Sequence, residues 1–218
     1  MLDNDRIVGF LFDLDGVLID SETQYSKIWA QINQEFPTGV ENLEIIIKGT
    51  TLPKILNDYY PDDDIKLKVS HRLHELESQM KYDYLPGAYD FLNELKHREL
   101  PRALVTSSDN KKMEHLWEER PELKGYFDFI ITADLIKTSK PSPEGYLLGA
   151  SKLNIPPGNC VVFEDSLQGV MAGKNAGAFV VGVCGTLPAA KLKPYADILI
   201  NSFEELDLDN LIQNLINI

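Results

Sequence analysis

Four short stretches of the chain carry side chains able to handle a phosphoryl group. Asp13-Leu14-Asp15-Gly16 directly follows the apolar run Ile7–Phe12. On an extended backbone, residues two apart point to one side, with origins about 6.6 Å apart. Gly16 then lets the chain turn sharply. A lone Asp-Gly could simply end a strand. Two adjacent anions after four apolar residues cost free energy unless a cation is near, so the pair points to chemistry. Thr106-Ser107-Ser108-Asp109-Asn110 follows a second apolar run. Its hydroxyls can donate to phosphate oxygens, and a helix starting near Asp109 exposes backbone N–H groups; Ser108 or Asp109 can equally cap that helix.

The third stretch is Ser139-Lys140-Pro141-Ser142-Pro143. Proline holds the residue before it extended, and an ammonium there would offset carboxylates and a phosphate; a solvated surface lysine is the plain alternative. The fourth, Val161-Val162-Phe163-Glu164-Asp165-Ser166, again ends an apolar run in two acids, with Gly169, Gly173 and Gly177 in the helical pattern beyond. Asp165 or Ser166 could cap that helix. Four acids at two strand ends suit a hard divalent cation, which takes oxygen ligands together with phosphate and water.

The elements that must position these residues are visible as short β-branched runs: Ile7–Phe12, Arg102–Thr106, Phe129–Thr132, Val161–Phe163, Val180–Val183 and a weaker Ile198–Ile200. None alternates strictly, as expected for strands covered on both faces, and helical patterns separate most of them. The expected fold is a doubly wound, Rossmann-like parallel α/β sheet, which binds ligands at the carboxyl ends of its strands. Between Ile19 and Pro86 the pattern is helical, with only an ambiguous run at Leu43–Lys48. Ser21 and Glu22 open one helix, with Trp29, Ile32 and Phe36 at helical spacing. Asp62–Asp64 reads as the acidic first turn of another that runs to about Met80, with Leu67, Leu73 and Leu76 as its apolar side. So long a connection is no ordinary loop. The expected division is a catalytic core of residues 1–19 and 86–218 and an inserted helical cap of residues 20–85, hinged near Ile19–Ser21 and Tyr84–Gly87.

Asp13-Leu14-Asp15-Gly16-Val17, Thr106, Lys140 and Glu164-Asp165, in that order, resemble the four signatures of the haloacid dehalogenase-like superfamily. The placement of the insert resembles its branch with a helical cap, and the likeness is greatest to phosphatase and β-phosphoglucomutase-like members. The resemblance implies an aspartyl-phosphate enzyme that uses Mg²⁺. Asp13 would be the nucleophile. Asp15 would be the general acid and then the base, its backbone carbonyl binding the metal. Thr106 would hold the phosphoryl group and Lys140 would offset its charge. Asp165 would bind the metal, with Glu164 a direct or outer partner; the implied metal set is Asp13, Asp15, Glu164 and Asp165. Thr106, Ser107 and Lys140 are expected against the phosphoryl group. Tyr25, Trp29, Lys48, Thr50, Thr51 and Lys54 are the cap candidates for facing the cavity, with Thr50 and Thr51 as substrate contacts, while Trp29 reads first as cap core.

One departure concerns the mutases. They carry a histidine in the first cap helix, where this chain has Tyr25, and an arginine soon after a glycine, where it has Gly49-Thr50-Thr51-Leu52. Hydrolysis of a small phosphorylated metabolite is therefore expected over mutase turnover. A metal-free dehalogenase leaves Asp15 without a job. A receiver-like phospho-Asp module would be compact, without the insert.

Composition narrows the partners. The net charge of -13, from 21 basic and 34 acidic residues, repels nucleic acid and anionic lipid, so neither is expected as a partner. The start is acidic where a secretion signal is basic, and the run Ile7–Phe12 is far short of a membrane span of ~20 residues. Cys160 and Cys184 make neither a disulfide framework nor a zinc set. The expectation is a soluble cytoplasmic protein, a monomer or at most a weak homodimer. His71 and His74, three apart on a polar helix, read as a solvated face.

Overall fold

The computed structural model describes residues 8–47 and 52–216. Six strands form one sheet: β1 (Gly9–Phe12), β2 (Arg102–Val105), β3 (Phe129–Ile131), β4 (Cys160–Glu164), β5 (Phe179–Val183) and β6 (Ile198–Ile200). Their order is β3-β2-β1-β4-β5-β6, and every pairing is parallel. The chain runs outward from β1 in one direction and from β4 in the other, so the strand order reverses between these two. Open parallel sheets bind ligands at that reversal, beyond the strands' carboxyl ends. In-register pairing of Phe12 with Leu104 and Phe163 brings the ends of β1, β2 and β4 level.

Four short 3-10 turns and ten α-helices complete the described chain. They are α1 (Ser21–Glu35), α2 (Leu43–Ile46), α3 (Leu52–Tyr59), α4 (Asp63–Glu77), α5 (Ala88–His97), α6 (Asn110–Glu119), α7 (Glu144–Leu153), α8 (Leu167–Asn175), α9 (Ala189–Leu192) and α10 (Leu208–Ile216). Ser21–Lys81 is one compact unit and the rest of the chain another. In the larger unit, the two segments that connect to the insert are tied together. Ile19 bridges Tyr84, and the Asp20 N–H donates to the Asp83 carbonyl at 2.9 Å.

The sheet is buried on both faces because its strands alternate apolar residues between two helical layers. Phe10 and Phe12 face an aromatic cluster with Phe91, Phe163 and Phe203; the Phe12 and Phe163 rings stack at 4.6 Å. Leu11, Ala103, Val105 and Val162 face the other way, into a core with Tyr146, Ala150 and Val170. Small residues let α7 approach that face closely: a Cβ on Gly149 would lie 3.1 Å from Val105 Cγ2 and 3.2 Å from Leu11 Cδ2.

In the smaller unit, α1 buries Ile28, Trp29 and Ile32. Asp62 caps α4, accepting from the Ile65 N–H at 3.0 Å. The expected apolar side of α4 needs correction. Val69 and Leu73 are buried, whereas Leu67 is 59% exposed. Six residues at 100° each put Leu67 well off the face of Leu73, while Val69 lies one turn from it. The ambiguous run after Leu43 folds as the short helix α2. Lys48, Gly49, Thr50 and Thr51 lie outside the described residues.

Candidate active site

Acids singled out at the ends of β1 and β4, and the lysine of the loop before α7, meet in the larger unit. Asp13 continues β1, its N–H donating to the Phe163 carbonyl at 3.0 Å, which carries its carboxylate to the end of β4. Asp13, Glu164 and Asp165 are all buried, and each offers a carboxylate oxygen, these lying within 4.8 Å of one another. Lys140 donates to Asp13 Oδ1 and Glu164 Oε1, and more distantly to the Val105 carbonyl at 3.4 Å. The loop that delivers it is pinned by Glu144, whose carboxylate accepts from the N–H groups of Lys137 at 2.8 Å and Thr138 at 2.9 Å. The peptide between Lys140 and Pro141 is cis.

Asp15 stands to one side. Its Oδ2 accepts from Lys112 Nζ at 2.8 Å and from Ser108 Oγ at 3.1 Å. Ser108 is thus a side-chain partner of Asp15, and capping of α6 falls to Asp109, which accepts from the Lys112 N–H at 2.8 Å. Thr106 is buried and its Oγ1 accepts from the Ser108 N–H at 3.0 Å; Ser107 is exposed. At the end of β4, capping of α8 falls to Ser166, leaving Asp165 for the pocket.

Two glycines make room for the acids. Gly16 has φ +75°, and a Cβ there would fall 2.0 Å from Asp165 Oδ2. A Cβ on Gly169 would fall 1.8 Å from Glu164 Cδ. Glu164 is fully buried and its two oxygens are engaged throughout. Oε1 accepts from Lys140 and the Tyr146 hydroxyl, at 2.8 Å for the latter. Oε2 accepts from Asp165 N–H, Ser166 N–H and Ser166 Oγ at 3.1, 3.2 and 3.0 Å.

Charge in this pocket is unbalanced. Burial, with Glu164 and Asp15 nearby, pushes Asp13 well above the usual carboxylate range despite Lys140. Burial also lifts Asp165, reinforced by Glu164 and Asp13, although Thr186 bonds to it. Burial works against the charge on Lys140, but Asp13 and Glu164 outweigh it and hold the amine above its ordinary value. These directions agree: one ammonium shared among three acids gains from each, while each acid gains only a share. Burial beside Glu164 raises the Tyr146 phenol well above its usual value, so it stays a donor.

The sequence reading did not single out Tyr146, Lys112, Ser108 as an Asp15 partner, or Thr186. Tyr146 reads as a core aromatic of an amphipathic helix. Lys112 is three residues beyond a cap, a spacing that hints at a side chain folded back over the helix start. In the smaller unit, the candidates Tyr25 and Trp29 line a cavity of about 340 Å³ that also carries Glu22, Glu44 and Glu77. The Tyr25 hydroxyl donates to Glu77 Oε1 at 3.0 Å. Lys54 belongs to α3. His71 and His74 are exposed, and His74 pairs with Glu77.

The profile of haloacid dehalogenase-like hydrolases matches residues 10–183, a span that runs from β1 through β5 and includes every strand end of the site. The chain belongs to this family. Validoxylamine A 7'-phosphate phosphatase of Streptomyces hygroscopicus subsp. limoneus is 32% identical over 209 residues, covering 90% of this chain and 94% of the relative. Hexitol phosphatase A of Escherichia coli K12 is 30% identical over 207 residues, covering 92% and 94%. Among solved structures, a HAD family hydrolase from Deinococcus radiodurans R1 with bound phosphate and sodium superposes with a TM-score of 0.81 at 25% identity, over 96% of this chain and 97% of that one. Among the described residues no helix is long and apolar enough to cross a membrane.

Proposed function

We propose that this protein is a magnesium-dependent phosphatase of small phosphorylated metabolites, working through an aspartyl-phosphate on Asp13. The observation that carries the reading is the buried meeting of Asp13, Glu164 and Asp165 around the single ammonium of Lys140. The named activities of the relatives support the same reaction class. The donor set fits a hard dication, being all carboxylate oxygen, buried and in excess of its one internal cation. Asp13, Asp165 and the Asp15 backbone carbonyl would hold Mg²⁺; Glu164, its oxygens already engaged, serves as the anchor of Lys140. When bound, the ion supplies charge neutralisation at the phosphoryl oxygens and shields an anionic nucleophile from an anionic substrate.

The protein's own side chains then divide the work. A carboxylate oxygen of Asp13 attacks phosphorus while the bond to the leaving oxygen breaks, and Asp15 gives that oxygen its proton. In the second half, Asp15 takes a proton from water as the water oxygen attacks phosphorus. Phosphate departs and Asp13 is restored. Lys140 and Thr106 hold the transferring group in place, so most of the rate gain is positioning and charge stabilisation. Asp15 pairs with Lys112 and Ser108 at rest, so it has to leave an ammonium before it can carry a proton. The inserted unit, taken as the cap of residues 20–85, supplies substrate choice through Tyr25 and Trp29, with Thr50 and Thr51. The absence of the mutases' histidine and arginine favours release of phosphate over its return to a sugar.

The test is phosphate release from p-nitrophenyl phosphate with magnesium. Asp13→Asn is expected to lose at least about 10³-fold in kcat; native turnover in that variant refutes the nucleophile assignment.

A further inference from the structure

We propose that Tyr146 is a positioning residue for Lys140, its hydroxyl securing the Glu164 oxygen that the lysine shares and its ring lying beneath the ammonium, so that the lysine is directed at Asp13. This rests on the reading above, in which Lys140 offsets charge on Asp13 and the phosphoryl group.

Three observations carry it. Tyr146 is 1% exposed and its hydroxyl donates to Glu164 Oε1 at 2.8 Å. The same oxygen accepts from Lys140. The Lys140 Nζ lies 5.2 Å from the Tyr146 ring centroid, within range of a cation–π contact. A phenylalanine would fill the same core volume; the hydroxyl adds only a donor, and a buried phenol needs an acceptor. Here the acceptor is the acid that competes with Asp13 for the ammonium. By taking part of the charge on Glu164 Oε1, the phenol weakens that competition, and the ring closes off one side of the ammonium from water.

The placement follows from the helix. Tyr146 lies between Gly145 and Gly149, which bring α7 onto the sheet. A Cβ on Gly145 would lie 3.0 Å from Val105 Cγ1, at the end of β2. That approach sets the phenol level with the end of β4, where Glu164 sits. Lys140 therefore has a fixed bearing although its own loop has no regular structure.

Turnover of p-nitrophenyl phosphate with magnesium would be measured for the native protein, Tyr146→Phe, Tyr146→Leu, Lys140→Met and the double variant Tyr146→Phe/Lys140→Met. Tyr146→Phe is expected to lower kcat about tenfold with KM moved less than about threefold, and Tyr146→Leu to lower it about a hundredfold. With Lys140 absent, Tyr146→Phe is expected to change residual kcat by less than about twofold, because the two act as one unit. An equal loss in both backgrounds, or native kcat in Tyr146→Phe, overturns the proposal.

If Lys140→Met turnover is too low to read, ¹H–¹⁵N spectra of the ammonium decide. The Lys140 signal, identified by its loss in Lys140→Met, is expected to stay shielded in Tyr146→Phe and to move downfield in Tyr146→Leu. An unmoved signal in Tyr146→Leu is the contrary result. Native turnover in Lys140→Met would instead overthrow the site reading itself. An inactive Lys140→Met beside a fully active Tyr146→Phe removes only the role given to Tyr146.

Discussion

Replacing Gly169 with alanine sets two effects of opposite sign against each other. Alanine is favoured over glycine by up to about 1 kcal/mol in a helix, and Gly169 is the third residue of α8, so on propensity alone Gly169→Ala stabilises the helix by no more than that. The new methyl would, however, sit 1.8 Å from Glu164 Cδ and 1.9 and 2.0 Å from its two oxygens, far inside contact distance. The carboxylate has nowhere equivalent to go. It is fully buried and holds donors from Lys140, Tyr146, Asp165 and Ser166. Breaking up a buried charge from its partners costs about 3–5 kcal/mol. With the propensity gain subtracted, the variant should be about 2–4 kcal/mol less stable, and turnover should fall because Lys140 loses its anchor. Urea unfolding followed by circular dichroism measures the first, and p-nitrophenyl phosphate turnover the second. Gly173→Ala is the comparison. Its methyl meets only apolar atoms, 2.8 Å from Val180 Cγ2 and 3.0 Å from Val162 Cγ1, so overpacking of about 1–3 kcal/mol less the same helix gain should leave a cost of about 0–2 kcal/mol and kcat intact below its unfolding temperature. A Gly169→Ala protein as stable and as active as the native one would refute the idea that Glu164 is held in a fitted cradle.

Three other expectations follow from the same geometry. Treatment with a chelator should abolish phosphate release, and added magnesium should restore it; full activity in chelator would contradict the metal assignment. Arg102 donates from its guanidinium to the carbonyls of Tyr126 and Leu100, so Arg102→Met should lower stability by about 3 kcal/mol in urea unfolding while turnover is kept. Bonds from the N–H groups of Lys137 and Thr138 hold Glu144 below the ordinary glutamate value. A depressed carboxyl stabilises fully above its unfolded value and loses that contribution as pH falls through the folded one; Glu144→Gln should therefore unfold less steeply on acidification below about pH 5, and an unchanged acid limb would count against it.

The fold was readable because each strand is a short apolar run ending in polar residues, and a parallel sheet gathers such ends at one edge. That is why Asp13 and the pair Glu164 and Asp165, more than a hundred positions apart in the chain, are found together, with Lys140 beside them. What could not be read was the state of each carboxylate. Glu164 and Asp165 are neighbours with the same charge, yet one is saturated by donors and the other points into the pocket. That difference comes from Gly169 and Gly16, whose missing side chains matter only once the chain is folded. Ser108 and Asp109 were interchangeable as caps in sequence; Lys112, folding back over the helix start, assigns one to Asp15 and leaves the cap to the other. On α4 the apolar side reads in sequence as Leu67, Leu73 and Leu76; angular position puts Val69 in the place given to Leu67.

A protein with a net charge of -13 has to solve a local problem before it can bind a phosphate ester. Its pocket answers by pairing: Lys140 attends Asp13, and Lys112 attends Asp15. These two ammoniums face four carboxylates, since Glu164 and Asp165 lie in the same place. Burial first, and the surplus of negative charge after it, drive Asp13 and Asp165 upward in pKa, and a bound dication would cancel that surplus. Neither lysine alone makes the site attractive to an anion, because each is already committed to an acid. On the proposed mechanism, phosphate affinity would be coupled to the metal by charge balance rather than by contact alone, with the coupling set by how tightly Glu164 and Tyr146 hold Lys140 in its position.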